Sequence, residues 1–95
     1  MATQYVVHDA SDTVGVVVIE GLKGGAEYAG WLMEGDKDLN MMIHNDIPIG
    51  HKVALKDFEV GEDVIKYGIV IGKVVAPIKK GEHVHVHNLK TKRYG

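Results

Sequence analysis

The chain reads Gly81-Glu82-His83-Val84-His85-Val86-His87-Asn88-Leu89-Lys90-Thr91-Lys92-Arg93 near its C-terminus, where histidine and valine alternate strictly after a turn glycine. Along an extended strand, successive side chains point to opposite faces of the sheet. The alternation therefore predicts a strand that directs Val84 and Val86 toward a core. The imidazoles that would share its other, outward face are those of His83, His85 and His87.

A row of imidazoles on an exposed face has three interpretations. On a strand, two rings two residues apart have backbones about 6.5–7 Å apart, so they can converge on one metal ion, or on a carboxylate or sulfonate. In the second case the site would be shared with another chain, and the neighbouring cations would help to hold the anion. These cations are Lys90, Lys92 and Arg93. The third interpretation is the solvent-facing side of a half-buried edge strand, which is common.

The composition is that of a small globular protein. The 95 residues predict a single domain, residues 1–95, of which 45% are hydrophobic and 25% charged. A net charge of −2 gives no electrostatic basis for binding nucleic acid or an anionic membrane, and no apolar run approaches a membrane span. The absence of cysteine excludes disulfide bonds and a thiol nucleophile. We therefore expect a cytoplasmic protein with neither nucleic acid nor membrane as a partner.

Short strands joined by glycine turns are predicted for most of the chain, which has twelve glycines and two prolines. The form glycine, two polar residues, valine occurs in Gly50-His51-Lys52-Val53, Gly61-Glu62-Asp63-Val64 and Gly81-Glu82-His83-Val84. These similar turns would bring His51 and Lys52 near the row of histidines. The apolar run 69–76 is expected to be a central strand ended by Pro77, whereas residues 26–33 fit either a short helix or a strand.

Four segments follow one another in a specific order in the second half of the chain. They are Asp46-Ile47-Pro48-Ile49-Gly50-His51-Lys52-Val53-Ala54-Leu55, Val64-Ile65-Lys66-Tyr67-Gly68, Ile71-Gly72 and Gly81-Glu82-His83-Val84-His85-Val86-His87-Asn88-Leu89. This series, within about residues 46–93, resembles the SAF domain of the altronate/hexarate dehydratase family. SAF domains have a β-clip fold. The resemblance implies a mostly β, compact single domain of short strands with at most one or two short helical turns.

Two segments of the first half extend the resemblance. They are Asp12-Thr13-Val14-Gly15-Val16-Val17-Val18-Ile19-Glu20-Gly21 and Gly30-Trp31-Leu32-Met33. They resemble the split members of the family, the sulfolactate sulfo-lyases, in which a small α subunit pairs with a large β subunit. The resemblance implies β-elimination on a small anionic 2-hydroxy acid, with (2R)-3-sulfolactate converted to pyruvate and sulfite. It also implies a divalent metal, Fe²⁺, bound mainly by the large subunit.

Other functions stay open beside the sulfo-lyase. The chain could be the small subunit of an altronate/galactarate-type sugar-acid dehydratase, a non-catalytic SAF module for binding or assembly, or a free-standing metal binder rich in histidine. An exposed strand edge and an apolar face left without the large subunit would favour a homodimer of the isolated chain.

The residues expected to bind the substrate are His51, Lys52, Lys66, His83, His85, His87, Asn88 and Arg93. Among them, His85 and His87 are also the candidate metal ligands. Asn88 would orient a neighbouring histidine or carboxylate, and Lys66 with Tyr67 would offer a cation and a hydroxyl. No pair of carboxylates marks an acid–base dyad, so the general base is expected on the large subunit.

Overall fold

The computed structural model describes residues 3–91, which form nine strands and no helix. The strands are β1 (Tyr5–Val7), β2 (Val14–Val17), β3 (Ala26–Leu32), β4 (Lys37–Ile43), β5 (Lys52–Ala54), β6 (Asp63–Lys66), β7 (Ile69–Val74), β8 (His83–Val84) and β9 (Leu89–Thr91). The mostly β fold class predicted from the sequence is confirmed. Within residues 3–91 there is no helix long and apolar enough to cross a membrane.

The strands form two sheets. One has six strands in the order β4-β3-β1-β2-β5-β8, and the other has three in the order β6-β7-β9. Only the pairing of β1 with β3 is parallel among the strand pairs of residues 3–91. The apolar run beginning at Ile69 forms β7, the central strand of the smaller sheet, as predicted.

The segment that fitted either a helix or a strand forms β3, between β1 and β4. Gly30 in β3 lies against the buried ring of Tyr5, and a Cβ at this position would overlap the ring atoms. The Tyr5 ring thus fills the space of the missing side chain. Local propensity alone does not decide between helix and strand for this segment. Pairing of β3 with strands on both of its edges and the contact with the Tyr5 ring favour the strand.

Hydrophobic side chains pack in two clusters on opposite faces of β2 and β5. Val53 and Ala54 are neighbours on β5 but belong to different clusters, because side chains alternate along a strand. The first cluster contains Tyr5, Val7, Val17, Leu22, Met41, Ile43, Ile47 and Val53. The second contains Val14, Ala54, Phe58, Val64, Val74, Ile78, Val84 and Leu89, so it joins all three strands of the smaller sheet to the larger one.

The three glycine repeats form one kind of turn. Gly50, Gly61 and Gly81 have φ angles of 84°, 94° and 88°, which are left-handed values that glycine adopts without a Cβ clash. In each turn the residue after the glycine donates its backbone N–H to the carbonyl three residues earlier, at 3.0–3.1 Å. β5, β6 and β8 each begin two residues after their glycine. The prediction that strands are entered through glycine turns is confirmed.

The three turns differ in whether the side chain after the glycine forms a hydrogen bond within the turn. In two of them it is Glu62 or Glu82, whose carboxylate accepts the backbone N–H of the residue three positions earlier, at 2.8 and 2.6 Å. In the remaining turn His51 holds this place, and the residue three positions earlier is Pro48, which has no N–H to donate. The His51 ring is therefore released from its own turn and is available for contacts elsewhere.

The alternation after Gly81 does not form one continuous strand, so that prediction is wrong. β8 ends at Val84, residues 85–88 form a turn, and β9 starts at Leu89. Val84 is fully buried as expected, but Val86 is 75% exposed in the turn and does not reach the core.

Asn88 gives the physical reason for the break. Its Oδ1 accepts the backbone N–H of His85, and its Nδ2 donates to the backbone carbonyl of His83. An asparagine that bonds its own neighbouring main chain offers the backbone an alternative to a strand ladder. The histidines consequently meet around a turn rather than along one face of a strand.

Candidate functional site

Four imidazole rings gather beside β5, β8 and the turn that follows β8. The Nδ1 atom of His51 lies 2.9 Å from Nε2 of His83. The ring of His85 stacks on that of His51, with centroids 4.0 Å apart and 19° between the planes. The rings of His83 and His87 are tilted, with centroids 5.2 Å apart. We call His51, His83, His85 and His87 the imidazole cluster.

Two asparagines hold the main chain that carries these rings. Asn88 is only 6% exposed, and its amide bonds the backbone of His83 and His85 at 2.8 and 3.0 Å. It thus orients histidines through their backbone, not through their rings. The Oδ1 of Asn45 accepts the N–H of His83 at 2.9 Å. Nothing in the sequence singled out Asn45, because it is 38 residues from its partner.

Two rings of the imidazole cluster, those of His83 and His85, are held neutral at neutral pH. Burial, followed by the neighbouring rings of His51, His87 and His85, lowers the pKa of His83 from 6.5 to about 4. Partial desolvation, followed by His51, Lys52 and His87, also lowers the pKa of His85. Neutral imidazoles offer both an N–H donor and a nitrogen lone pair, so they can bind an oxyanion or a metal ion.

Lys52 adds charge next to the imidazole cluster, and Lys66 lies close enough to Lys52 to affect its pKa. Lys52, at the start of β5, is partly buried, and this burial and then the charge of Lys66 lower the pKa of its ammonium group. Lys66 ends β6, and its Nζ lies 3.8 Å from the centroid of the Tyr67 ring. The predicted residues of β5, β6 and the β8 region are thus brought together from three separate parts of the chain.

A polar cleft of about 430 Å³ opens beside the imidazole cluster. It is lined by Asn45, Ala76, Pro77, Glu82, His83, His87 and Asn88. Its volume lies in the range of small-molecule sites. The Glu82 carboxylate accepts the N–H of Lys79 in the glycine turn, and the imidazoles in this lining are those of His83 and His87.

The ring nitrogens of the imidazole cluster are also suitable ligands for a metal ion. One nitrogen from each of His51, His83 and His85 lies within 4.8 Å of the other two. Neutral imidazole nitrogen is a good ligand for Fe²⁺ and Zn²⁺. The stacked planes and the His51–His83 contact mean that the rings would have to rotate before three lone pairs could point at one ion. His85, a predicted ligand, belongs to this group, whereas His87 does not.

The basic residues that follow the histidines do not join this site within the described chain. Lys90 lies on β9, pairs with Lys73 of β7 and lines another cleft. Arg93, predicted to bind the substrate, and its neighbour Lys92 fall outside residues 3–91.

The other cleft, of about 600 Å³, runs over the smaller sheet. Its lining consists of Val60, Gly61, Asp63, Val70, Gly72, Lys73, Val74, Val75, Lys90 and Thr91. Val60 and Val75 are 61% and 48% exposed, and no histidine lies in this lining. Its chemistry suits packing against another surface better than catalysis.

The class of protein that this fold and site define is a small all-β domain that carries a cluster of imidazoles beside a polar cleft. The sequence model of the altronate/galactarate dehydratase SAF domain matches residues 3–92. The chain belongs to this family, as the ordered motifs predicted.

Relatives of known name fall into two groups. The chain is 53% identical over 94 residues to the (2R)-sulfolactate sulfo-lyase subunit alpha of Chromohalobacter salexigens, which covers 99% of this chain and 100% of the relative. The subunit of the same name from Paracoccus pantotrophus is 52% identical over 59 residues, 62% of this chain and 88% of the relative. The altronate dehydratase of Escherichia coli is 38% identical over 88 residues, 93% of this chain but 16% of that longer protein.

Proposed function

We propose that this chain is the small subunit of a two-chain lyase that eliminates sulfite from (2R)-3-sulfolactate and leaves pyruvate. The observation that carries the proposal is the 53% identity to a protein named as the alpha subunit of this enzyme, along the whole length of that protein. The imidazole cluster beside a polar cleft supports it, because these groups are suited to binding a small oxyanion.

The elimination removes a proton from C2 and breaks the C3–S bond. Sulfite leaves with the electron pair of that bond, and the resulting enol takes up a proton at C3 and loses its hydroxyl proton to become pyruvate. The substrate carries a carboxylate at one end and a sulfonate at the other, so binding it needs donors and cations rather than further carboxylates. Lys52 and Lys66 would supply charge, and the neutral rings of His83 and His85 would donate N–H groups.

We assign the general base to the large subunit. Within residues 3–91, Glu82 is the carboxylate that lines the cleft and would therefore be the candidate base of this chain. It is already bound to the Lys79 N–H at 2.6 Å and stabilises a turn. The small subunit would then contribute binding and orientation, and we expect it to be inactive alone.

A divalent ion, Fe²⁺, is part of the proposal and would be bound mainly by the large subunit. When bound, such an ion supplies Lewis acidity toward the carboxylate and the 2-hydroxyl group. The residues of this chain that would complete its coordination are His51, His83 and His85, on the grounds of their nitrogen spacing.

The test combines the purified chain with its candidate large subunit and Fe²⁺, and measures pyruvate and sulfite formed from sulfolactate, with altronate in a parallel reaction. We expect sulfite release that needs both chains. Turnover of altronate alone would replace the substrate with a sugar acid, an alternative supported by the similarity to altronate dehydratase. No turnover of either, with no complex formed, would contradict the subunit proposal.

A triple variant separates a catalytic from a purely structural small subunit. Replacing His83, His85 and His87 by asparagine should abolish activity of the pair, while His44→Asn, an exposed histidine outside the imidazole cluster, should leave it unchanged. Full activity of the triple variant would favour a non-catalytic assembly module.

Two further properties belong to the same proposal. We expect the isolated chain to form a homodimer through its exposed apolar residues, which sedimentation would detect. We also expect the pair to work in the cytoplasm, consistent with a sequence that contains no cysteine.

A further inference from the structure

A tyrosine occupies a position in which the backbone disfavours it. Tyr67 and Gly68 form the two-residue turn between β6 and β7, and both have positive φ angles, 56° and 69°. Such turns favour asparagine or aspartate followed by glycine. A bulky side chain with a left-handed φ is sterically costly, and this kind of strain gathers at functional sites.

The Tyr67 side chain is held in place from two sides. Its hydroxyl lies 3.0 Å from Nε2 of His8, and the two rings contact each other with centroids 4.2 Å apart. The Lys66 ammonium lies over the Tyr67 ring, 3.8 Å from the ring centroid. The buried Asp12 accepts the N–H of Gly68 at 3.1 Å, which fixes the turn against the loop after β1.

Core packing does not explain this arrangement. Tyr67 is 55% exposed and belongs to neither hydrophobic cluster. Its hydroxyl is therefore fixed in direction yet reachable from solvent, as a ligand-binding group would be. If His8 donates its Nε2 hydrogen to the Tyr67 oxygen, the tyrosine O–H is left to donate elsewhere.

Tyr67 also lies next to the cations of the site already described. The Lys66 ammonium contacts the Tyr67 ring. After burial, the charge of Lys66 lowers the pKa of Lys52, and Lys52 is among the groups that lower the pKa of His85. Lys66 thus links the Tyr67 turn to Lys52, a candidate substrate-binding residue. A substrate with one anion at each end needs two such binding regions.

We propose that the Tyr67 hydroxyl, held by His8, donates a hydrogen bond to one of the two anionic groups of the substrate, beside the Lys66 ammonium. This inference rests on the proposed lyase function and adds a second binding region to it. Tyr67 is then a substrate-binding residue, and His8 is a positioning residue that acts through it.

The first test is Tyr67→Phe in the reconstituted pair, since this change removes only the hydroxyl and keeps the ring. We expect kcat/KM for sulfolactate to fall about tenfold or more, mostly through a higher KM, as for a lost hydrogen bond to a charged group. The matched control is Tyr28→Phe, because that hydroxyl donates to the carbonyl of Lys23 in an exposed loop. This control should behave as the unaltered pair, and both variants should keep its melting temperature.

His8 is tested through a double-mutant cycle. His8→Phe keeps an aromatic ring beside Tyr67 but removes the nitrogen that holds the hydroxyl. We expect it to raise KM severalfold, and we expect the double variant to be no worse than Tyr67→Phe alone. Fully additive effects would overturn the positioning role of His8.

A second measurement does not depend on lyase activity. Sulfate is titrated into the isolated chain and its dissociation constant is obtained from NMR shifts, for the unaltered chain, Tyr67→Phe and Tyr28→Phe. We expect several-fold weaker binding only for Tyr67→Phe.

The two measurements separate the two proposals. An active pair in which Tyr67→Phe matches the unaltered protein overturns the role of Tyr67 and leaves the lyase standing. An inactive pair whose isolated chain still needs the hydroxyl to bind sulfate overturns the lyase and retains Tyr67 as an anion-binding group. An inactive pair with equal sulfate binding in all variants overturns both.

Discussion

At the scale of single residues, the imidazole cluster depends on groups that hold its rings close together and keep the His83 ring uncharged. Four imidazoles with several pairs of ring centroids only 4.0–5.7 Å apart would repel one another if all were protonated. Partial burial and these neighbours lower the pKa of His83 to about 4, so its ring is neutral where most cells operate. Lys52, and not the His83 ring, then supplies positive charge that attracts an anion.

The low pKa of His83 predicts a loss of stability in acid. Unfolded histidine has a pKa near 6.5, so between pH 6.5 and about 4 the unfolded chain binds a proton that the folded chain does not. The free energy of unfolding should therefore fall as the pH falls through this range. Urea unfolding at successive pH values measures it, and His83→Gln should reduce the slope.

Carboxylates make a separate contribution to the same curve. The pKa values of Asp9, Asp46 and Glu62 are lowered by hydrogen bonds, so their protonation in acid also destabilises the folded chain. They are unchanged in His83→Gln, so the difference between the two curves isolates the ring. Identical slopes for the two proteins would show that His83 is not held neutral.

Asn88 is expected to be the most sensitive polar residue of the site. It is buried, and both atoms of its amide are bonded to the backbone of the histidine turn. Asn88→Ala should cost about 1–3 kcal/mol of unfolding free energy, because buried main-chain groups lose their partners. It should also weaken sulfate binding, since the turn that carries His85 loses its anchor.

Asn45→Ala is a suitable comparison for that variant, measured by the same chemical denaturation. Asn45 also accepts a backbone N–H of the histidine region, but it is exposed, so water can replace it. Its cost should be under about 1 kcal/mol. Equal losses for the two variants would contradict the importance given to burial.

At the scale of elements, the molecule repeats one glycine turn three times, and the side chain after the glycine has a different role in one of the three. The turn before β6 and the turn before β8 use a glutamate to bind the N–H three positions earlier. The turn before β5 has Pro48 at the donor position, so a glutamate there would have no N–H to accept. This exchange lets His51 enter the imidazole cluster while the turn itself is preserved.

The repeat predicts a coupling between Pro48 and His51. His51→Glu alone should remove the contact with His83 and bring no new turn hydrogen bond. In a Pro48→Lys background, the same glutamate can accept the restored N–H. We expect His51→Glu to change the free energy of unfolding about 0.5–1.5 kcal/mol more favourably there than in the unaltered background. A double-mutant cycle of unfolding free energies measures this coupling, and a value near zero would contradict the equivalence of the turns.

At the scale of the whole molecule, two exposed surfaces compete as the contact with a large subunit. One is the region of the imidazole cluster, where Val86 is 75% exposed. The other is the apolar cleft over the smaller sheet, where Val60 is 61% exposed. An active site shared between subunits requires the first surface to face the partner.

Two matched variants decide between the surfaces. Val86→Asp should weaken association of the two subunits at least about tenfold, because a charge would be buried in the contact, whereas Val60→Asp should have little effect. Isothermal titration of the large subunit with each variant measures the dissociation constants. The opposite ranking would place the large subunit on the smaller sheet and remove the imidazole cluster from the contact.

The amino-acid sequence alone correctly predicted local features of this chain. Positive φ angles at Gly50, Gly61 and Gly81, the strands that follow them, and the central strand starting at Ile69 all reflect short-range preferences of the backbone. The ordered motifs identified the family for the same reason, since each motif is a short segment. Histidine and valine alternation, by contrast, predicted a strand that Asn88 interrupts.

Contacts between distant segments follow from how the whole chain packs. No local pattern relates His8 to Tyr67, which are 59 residues apart. The glycine repeat predicted that His51 would lie near the histidines, but it did not predict the direct contact with His83, 32 residues away. The strand conformation of residues 26–32 likewise depends on pairing with β1 and on the Tyr5 ring. These contacts arise when sheets pair and side chains are buried together, because the energy of such packing depends on the whole chain and not on any one segment.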